Sequence, residues 1–185
     1  PLGKGTRLFG DGYQTAKKLG DSRYWRVPVM DGEFIIEEDT GVTTDAVGGG
    51  NMLIVGRDRK GLLETAEHAV EEIAKIDDVI TPFPGGIVRS GSKVGAKYAG
   101  MHASTNDAFC PTLRGTVKHS ELSPDTLAVL EIVIDGLTSK AVADAMHAGL
   151  KAVTDVGASR GVTRITAGNY GGKLGQHHYH LKDLI

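Results

Sequence analysis

From Val47 onward the chain switches between two apolar patterns. Short unbroken runs, Met52-Leu53-Ile54-Val55 and Leu127 to Asp135, read as buried strands, and each precedes a stretch with helical apolar spacing. The first such stretch predicts a helix from about Lys60 to Lys75, with Leu62, Ala66, Val70 and Ile73 inside and Glu64, Glu67, Glu71 and Glu72 facing water. The second predicts a helix from Ser139 to Asp155, capped by Thr138 or Ser139, with Val142, Met146, Leu150 and Val153 inside. Ala145, Ala148, Gly149 and Ala152 keep that helix slim enough to lie close on a sheet. Val79-Ile80-Thr81 and Val162 to Thr166 supply the strand after each helix, and Ile-Thr followed by Gly-Gly closes both units. A duplicated βαβ unit of this length predicts an α+β protein, a ferredoxin-like α/β sandwich. A doubly wound parallel sheet would need more helices than the pattern contains.

Residues 1–46 carry strand signals without a helix to cover them. Thr6 to Phe9 and Tyr24 to Val29 are strand candidates, separated by a polar turn around Lys17, Lys18, Gly20 and Asp21. Asp31-Gly32 predicts a hairpin into Glu33-Phe34-Ile35-Ile36, with Pro28 marking an edge or a bulge. These strands read as the end of a preceding lobe, and the opening at Pro1 reads as a fragment; residues 47–185 form the ferredoxin-like lobe. Tyr98 to Ser104 is a further strand candidate, and Asn106 to Ser123 a connection without a readable pattern.

Strand alternation isolates one residue. Ala128, Leu130, Ile132 and Ile134 share one apolar face, which leaves Glu131 between Val129 and Val133 on the other. A carboxylate held there either finds a partner or its pKa rises, which suits a general acid/base. An open, wet sheet face is the plain alternative. Composition narrows the chemistry further. A net charge of -2 with no basic block offers no field for nucleic acid or an anionic membrane, and no apolar run is long enough to span a bilayer. Cys110 is the single cysteine, so no internal disulfide forms and a reducing cytoplasm fits.

Glycine, at 26 residues, stands at about twice its usual share of about 7% and is clustered. Gly85-Gly86 and Gly171-Gly172 lie at strand ends, flanked by Ser90, Ser92, Lys93, Asn169, Tyr170 and Lys173. Their backbone N–H groups can hold a carboxylate, a phosphate or a developing oxyanion; two tight turns are the structural alternative. Other motifs fail on context. Gly86 to Lys93 approaches a phosphate-binding loop but ends Gly-Ser-Lys with no helix pattern after it. Gly157-Ala158-Ser159-Arg160-Gly161 has the letters of a nucleophile elbow, but it joins a helix to a strand and reads as a helix C-cap loop. His177, His178 and His180 have no further ligands at identifiable spacing and read as an exposed C-terminal strand, not a metal site. Cys110, ahead of Pro111, has no base beside it.

Several blocks resemble the formylmethanofuran:tetrahydromethanopterin formyltransferases. They are Ile80-Thr81-Pro82-Phe83-Pro84-Gly85-Gly86-Ile87-Val88, Ser90-Gly91-Ser92-Lys93-Val94-Gly95, Pro111-Thr112-Leu113-Arg114, Glu131-Ile132-Val133-Ile134-Asp135-Gly136 and Ala167-Gly168-Asn169-Tyr170-Gly171-Gly172-Lys173-Leu174-Gly175. Val27 to Ile35 adds another. The resemblance covers nearly the whole chain and matches the second of that family's two similar lobes plus the closing strands of the first. It implies transfer of a formyl group between the amine of methanofuran and N5 of a tetrahydropterin. Methanofuran and tetrahydromethanopterin are then substrates, and no cofactor or metal is called for. It also implies Glu131 as the catalytic glutamate and assembly into a homo-oligomer. Bacterial versions work within a formyltransferase/hydrolase complex, and the lack of strongly acidic composition fits them. A non-catalytic lobe that binds a pterin or another protein chain is the alternative from another class.

Overall fold

The computed structural model describes residues 12–41, 45–93, 100, 105–168 and 175–185. The chain divides into two compact units, Pro1–Thr44 and Asp45–Ile185.

In the first unit, β1 (Thr15–Leu19), β2 (Ser22–Val29) and β3 (Gly32–Glu37) form an antiparallel sheet in that order. The hairpin at Asp31-Gly32 is present, but Lys17 and Lys18 are in β1 and not in a turn. All five residues of β1 are exposed, so the strand has no apolar alternation to betray it. Pro28 sits in the middle strand of the three, at a point β1 does not reach: the β1–β2 pairing stops at Thr15 opposite Arg26. A missing N–H costs nothing there. Trp25 Nε1 donates to Glu38 Oε2 at 3.1 Å, and Arg26 makes a bidentate pair with Glu33 across the β2–β3 ladder.

The second unit runs β4 (Val47–Gly56), α1 (Arg59–Ile73), β5 (Val79–Ile80), β6 (Ala128–Gly136), α2 (Ser139–Val156) and β7 (Val162–Thr166). Its four strands lie in the order β5-β6-β4-β7, every neighbouring pair antiparallel, so the two βαβ units interleave as in a ferredoxin-like sandwich. Asp58 caps α1 by accepting from the backbone N–H groups of Lys60 and Gly61, and Thr138 caps α2 by accepting from Ala141. The helices cover one face. Met52 and Ile54 from β4, Ile132 and Ile134 from β6, Leu62, Ala66 and Ile73 from α1, and Val142, Met146, Leu150 and Val153 from α2 make the core.

Small residues set the depth of that packing. A Cβ on Gly149 would lie 2.6 Å from Met52 Cε and 2.8 Å from Ile73 Cδ1; one on Gly50 would lie 2.5 Å from Val142 Cγ1. Gly48, Gly49 and Gly50 are part of β4 itself. The β4–β6 register shifts between Val47 and Gly50, and Gly49, at φ 92°, donates its N–H to Asp135 Oδ1 at 2.8 Å. Gly157 to Gly161 is a helix end, with Gly161 left-handed at φ 80°. The histidine-rich tail is exposed at His177, His178 and His180 as expected, but it is not a strand: it runs irregularly into a 3₁₀ turn, Leu181–Asp183. Tyr179, Leu181 and Leu184 pack on the core, and Tyr179 Oη lies 3.0 Å from Ser139 Oγ, so the tail is tied to α2. The Tyr98 to Ser104 strand lies outside the described residues, Gly100 apart.

Candidate active site

The face of the sheet turned away from the helices carries Asn51, Leu53 and Val55 of β4 beside Val133, Glu131 and Val129 of β6. That face is not open. The connection from Thr105 to Leu127 lies over it, through 3₁₀ turns Asp107–Phe109 and Pro111–Leu113, with Asn106 reaching the Glu131 side chain. In the plane of the sheet, along the β6 edge that β5 also lines, Val88 forms an antiparallel bridge with Glu131, its N–H donating to Glu131 O at 2.7 Å and its carbonyl accepting at 3.0 Å. Arg164 of β7 ties this cover down: Nη2 donates to Glu121 O at 2.6 Å, and the guanidinium sits 5.7 Å from the Phe109 ring centroid. Arg114 donates to Pro124 O and Thr126 O, fixing the cover to the chain just ahead of β6.

Glu131 is therefore buried, with 5% of its surface exposed. Of the two fates open to a mid-strand carboxylate, it has found partners, and they are amides. Asn51 Nδ2 donates to Oε1 at 2.9 Å and Asn106 Nδ2 to Oε2 at 3.3 Å. Neither Arg164 nor any lysine among the described residues makes an ion pair with it; Arg164 pairs with Glu121. Asn51 and Asn106 are themselves buried, at 6% and 7%. Asn51 Oδ1 accepts from Gly168 N–H at 3.0 Å, while Asn106 Nδ2 also donates to Ser90 Oγ at 2.7 Å and its backbone N–H donates to Gly91 O at 3.0 Å. A hydrogen-bonded chain thus runs Gly168, Asn51, Glu131, Asn106, Ser90. It links the segment after Gly85-Gly86 and the residue that leads toward Gly171-Gly172 to one carboxylate. Buried polar groups that are fully partnered in this way specify one geometry.

The sequence-proposed residues separate accordingly. Ser90 joins the carboxylate through Asn106, and Ser92 and Lys93 follow it exposed. Gly85 and Gly86 form a 3₁₀ turn, Pro84–Gly86. A Cβ on Gly86 would meet Val70 of α1 at 2.6 Å, so this glycine has a packing reason, whereas nothing lies within 4 Å of a Cβ on Gly85. Asn169, Tyr170, Gly171, Gly172 and Lys173 lie outside the described residues. Cys110 is half-buried, its thiol donating to Asn106 O at 3.5 Å. Asn51 and Asn106 were not legible in the sequence. Asn51 sits just ahead of an apolar run, at a position whose meaning depends on strand pairing, and Asn106 belongs to a segment with no period.

A family model described as "FTR, proximal lobe" matches residues 32–184. The chain belongs to this family. The match begins at β3, inside the first compact unit. Over 185 residues the chain is 55% identical to formylmethanofuran–tetrahydromethanopterin formyltransferase of Methylococcus capsulatus, covering 100% of this chain and 61% of that protein. It resembles a crystal structure of the formyltransferase/hydrolase complex of Methylorubrum extorquens with methylofuran, at TM-score 0.73 and 57% identity, over 98% of this chain and 60% of that one. A third relative, formylmethanofuran:tetrahydromethanopterin formyltransferase of Methanosarcina barkeri, aligns at TM-score 0.71 and 42% identity, over 100% of this chain and 61% of that one. The chain thus spans about three-fifths of the length of the relatives it matches. No helix among the described residues is long and apolar enough to cross a membrane.

Proposed function

We propose that the protein moves a formyl group between formylmethanofuran and N5 of tetrahydromethanopterin, the activity named for its relatives, with Glu131 as acid/base. The observation that carries the proposal is the carboxylate itself: buried on a central strand, held by two neutral donors and neutralised by no cation among the described residues. An amine nitrogen attacks the formyl carbon, the carbonyl electron pair moves onto oxygen, and the attacking nitrogen's proton passes to the carboxylate. The carboxyl then returns that proton to the leaving nitrogen as its bond to carbon breaks and the carbonyl reforms. Backbone and side chains of Gly85, Ser90, Ser92, Lys93 and the Asn169 to Lys173 loop are the proposed substrate contacts, with the two carriers as substrates and no further cofactor. In the same reading residues 1–46 close a preceding lobe, consistent with exposed Val29, Met30, Phe34 and Ile35. Assembly into a homo-oligomer or a formyltransferase/hydrolase complex and cytoplasmic residence complete it; the Methylorubrum relative is named as a component of such a complex.

The test is Glu131→Gln in the full-length gene product. We expect kcat to fall by about 10²–10⁴ with both KM values little changed. Asn51 holds its N–H toward residue 131 because its oxygen is taken by Gly168, so the new amide must turn its own N–H₂ toward Asn106. One hydrogen bond is lost, and stability drops by about 1 kcal/mol. Near-normal turnover would remove Glu131 from the chemistry and favour a lobe that only binds.

A further inference from the structure

Glu131 could hold its place without Asn51, since β6 fixes its backbone and Asn106 already reaches one carboxylate oxygen. What Asn51 adds is direction. It lies opposite Val133, two pairs along from the Leu53–Glu131 pair and next to it on the same face, so its side chain reaches Glu131 diagonally across the ladder. The sense of its amide is set by a group that cannot change role: Gly168 N–H donates to Oδ1 at 3.0 Å, which leaves only Nδ2 to face Glu131 Oε1 at 2.9 Å. Asn106 differs, because its Nδ2 is divided between Ser90 Oγ at 2.7 Å and Glu131 Oε2 at 3.3 Å.

We propose that Asn51 is a positioning residue for the reaction: it fixes the rotamer of Glu131 through Oε1 and leaves Oε2 to carry the proton. This rests on Glu131 being the acid/base. A donor locked onto Oε1 is satisfied whether the carboxyl is ionised or protonated, because the carbonyl oxygen of the neutral acid still accepts. The proton taken from the attacking nitrogen therefore resides on Oε2 and leaves from Oε2, with no rotation of the carboxyl between the two transfers. An acid/base group must stay within hydrogen-bond reach of two different nitrogens in turn, and small displacements at such a site are costly. Asn51 also ties the carboxylate to the backbone N–H of Gly168.

The deciding experiment uses the full-length gene product with Asn51→Asp, alone and combined with Glu131→Gln. Aspartate keeps the shape and the oxygen that accepts from Gly168 but replaces the amide donor with a second carboxyl group against Glu131 Oε1, so Asn51→Ser, which removes the amide donor without adding charge, must show the same pattern. We expect a 10- to 100-fold loss of kcat with KM for both substrates within about threefold, and no further loss when Glu131→Gln is already present. A kcat within twofold of wild type, or the same fold-loss with and without Glu131, overturns the inference. If Glu131→Gln turns over normally, the acid/base reading has failed; if it is crippled while Asn51→Asp is normal, only the positioning role has failed. Should Asn51→Asp not fold, Asn51→Ser carries the same comparison. Should neither fold, the Asn51 side-chain amide resonances must differ between wild type and Glu131→Gln, and unchanged resonances overturn the pairing.

Discussion

Gly85 and Gly86 are adjacent and both left-handed, at φ 67° and 74°, yet they meet different surroundings. A Cβ at 86 would press on Val70 Cγ1, Val70 Cγ2 and Thr81 Oγ1, all within 3 Å, while a Cβ at 85 meets open space. Gly85→Ala should therefore cost only the backbone penalty, about 1–2 kcal/mol. Gly86→Ala should add an overpacking cost of about 1–3 kcal/mol to it. Chemical denaturation midpoints of the two variants decide this, and equal losses would remove Val70 and Thr81 from the explanation. At this scale the sequence revealed what one strand alone can reveal. Glu131 stood out because alternation placed it among valines; its partners Asn51 and Asn106 arrive from a neighbouring strand and a distant turn, through pairings that no single stretch of chain contains.

Both helices were legible because burial on one side imposes a period on sequence, and Val142, Met146, Leu150 and Val153 are all buried where that period puts them. Their depth of packing was legible too, in the small residues of α2. Gly149 is where helix, sheet and neighbouring helix converge, so Gly149→Val should destabilise by about 1–3 kcal/mol or more, read as a lowered melting temperature. Thr138→Ala at the α2 N-cap should cost about 1 kcal/mol, and serine there should restore most of it. Elements without a buried face left no such trace. β1 is exposed along its length, and the cover over Glu131 is built of 3₁₀ turns and carbonyl contacts from Arg114 and Arg164. Arginine-to-carbonyl ties can be made at many spacings, so nothing in residues 105–127 announces that they lie on a sheet.

On the scale of the molecule the two compact units differ in how much they bury. Val27 is the one buried apolar residue of the first unit among those described, whereas Met52, Leu53, Ile54 and Val55 are nearly inaccessible in the second. Hydrogen exchange should follow that difference, with β4–β6 amides opening only near global unfolding and β1–β2 amides exchanging through smaller openings. Comparable protection in β1 and β4 would show that the first unit draws stability from a surface it covers. The central β4–β6 pairing has a further consequence, for folding. Slipping β6 by one residue would swing every side chain to the opposite face, taking the Glu131 carboxylate from its amide partners into the apolar helix-side core and turning Ile132 and Ile134 away from it. The carboxylate therefore acts during folding as a proofreader of alignment. Replacing it with leucine would leave Asp135, near the strand end, as the one charged residue of β6 and remove the central penalty, so Glu131→Leu should return less soluble, native chain on dilution from denaturant than Glu131→Gln. Equal recovery would assign alignment to the bulge at Gly49 and its bond to Asp135.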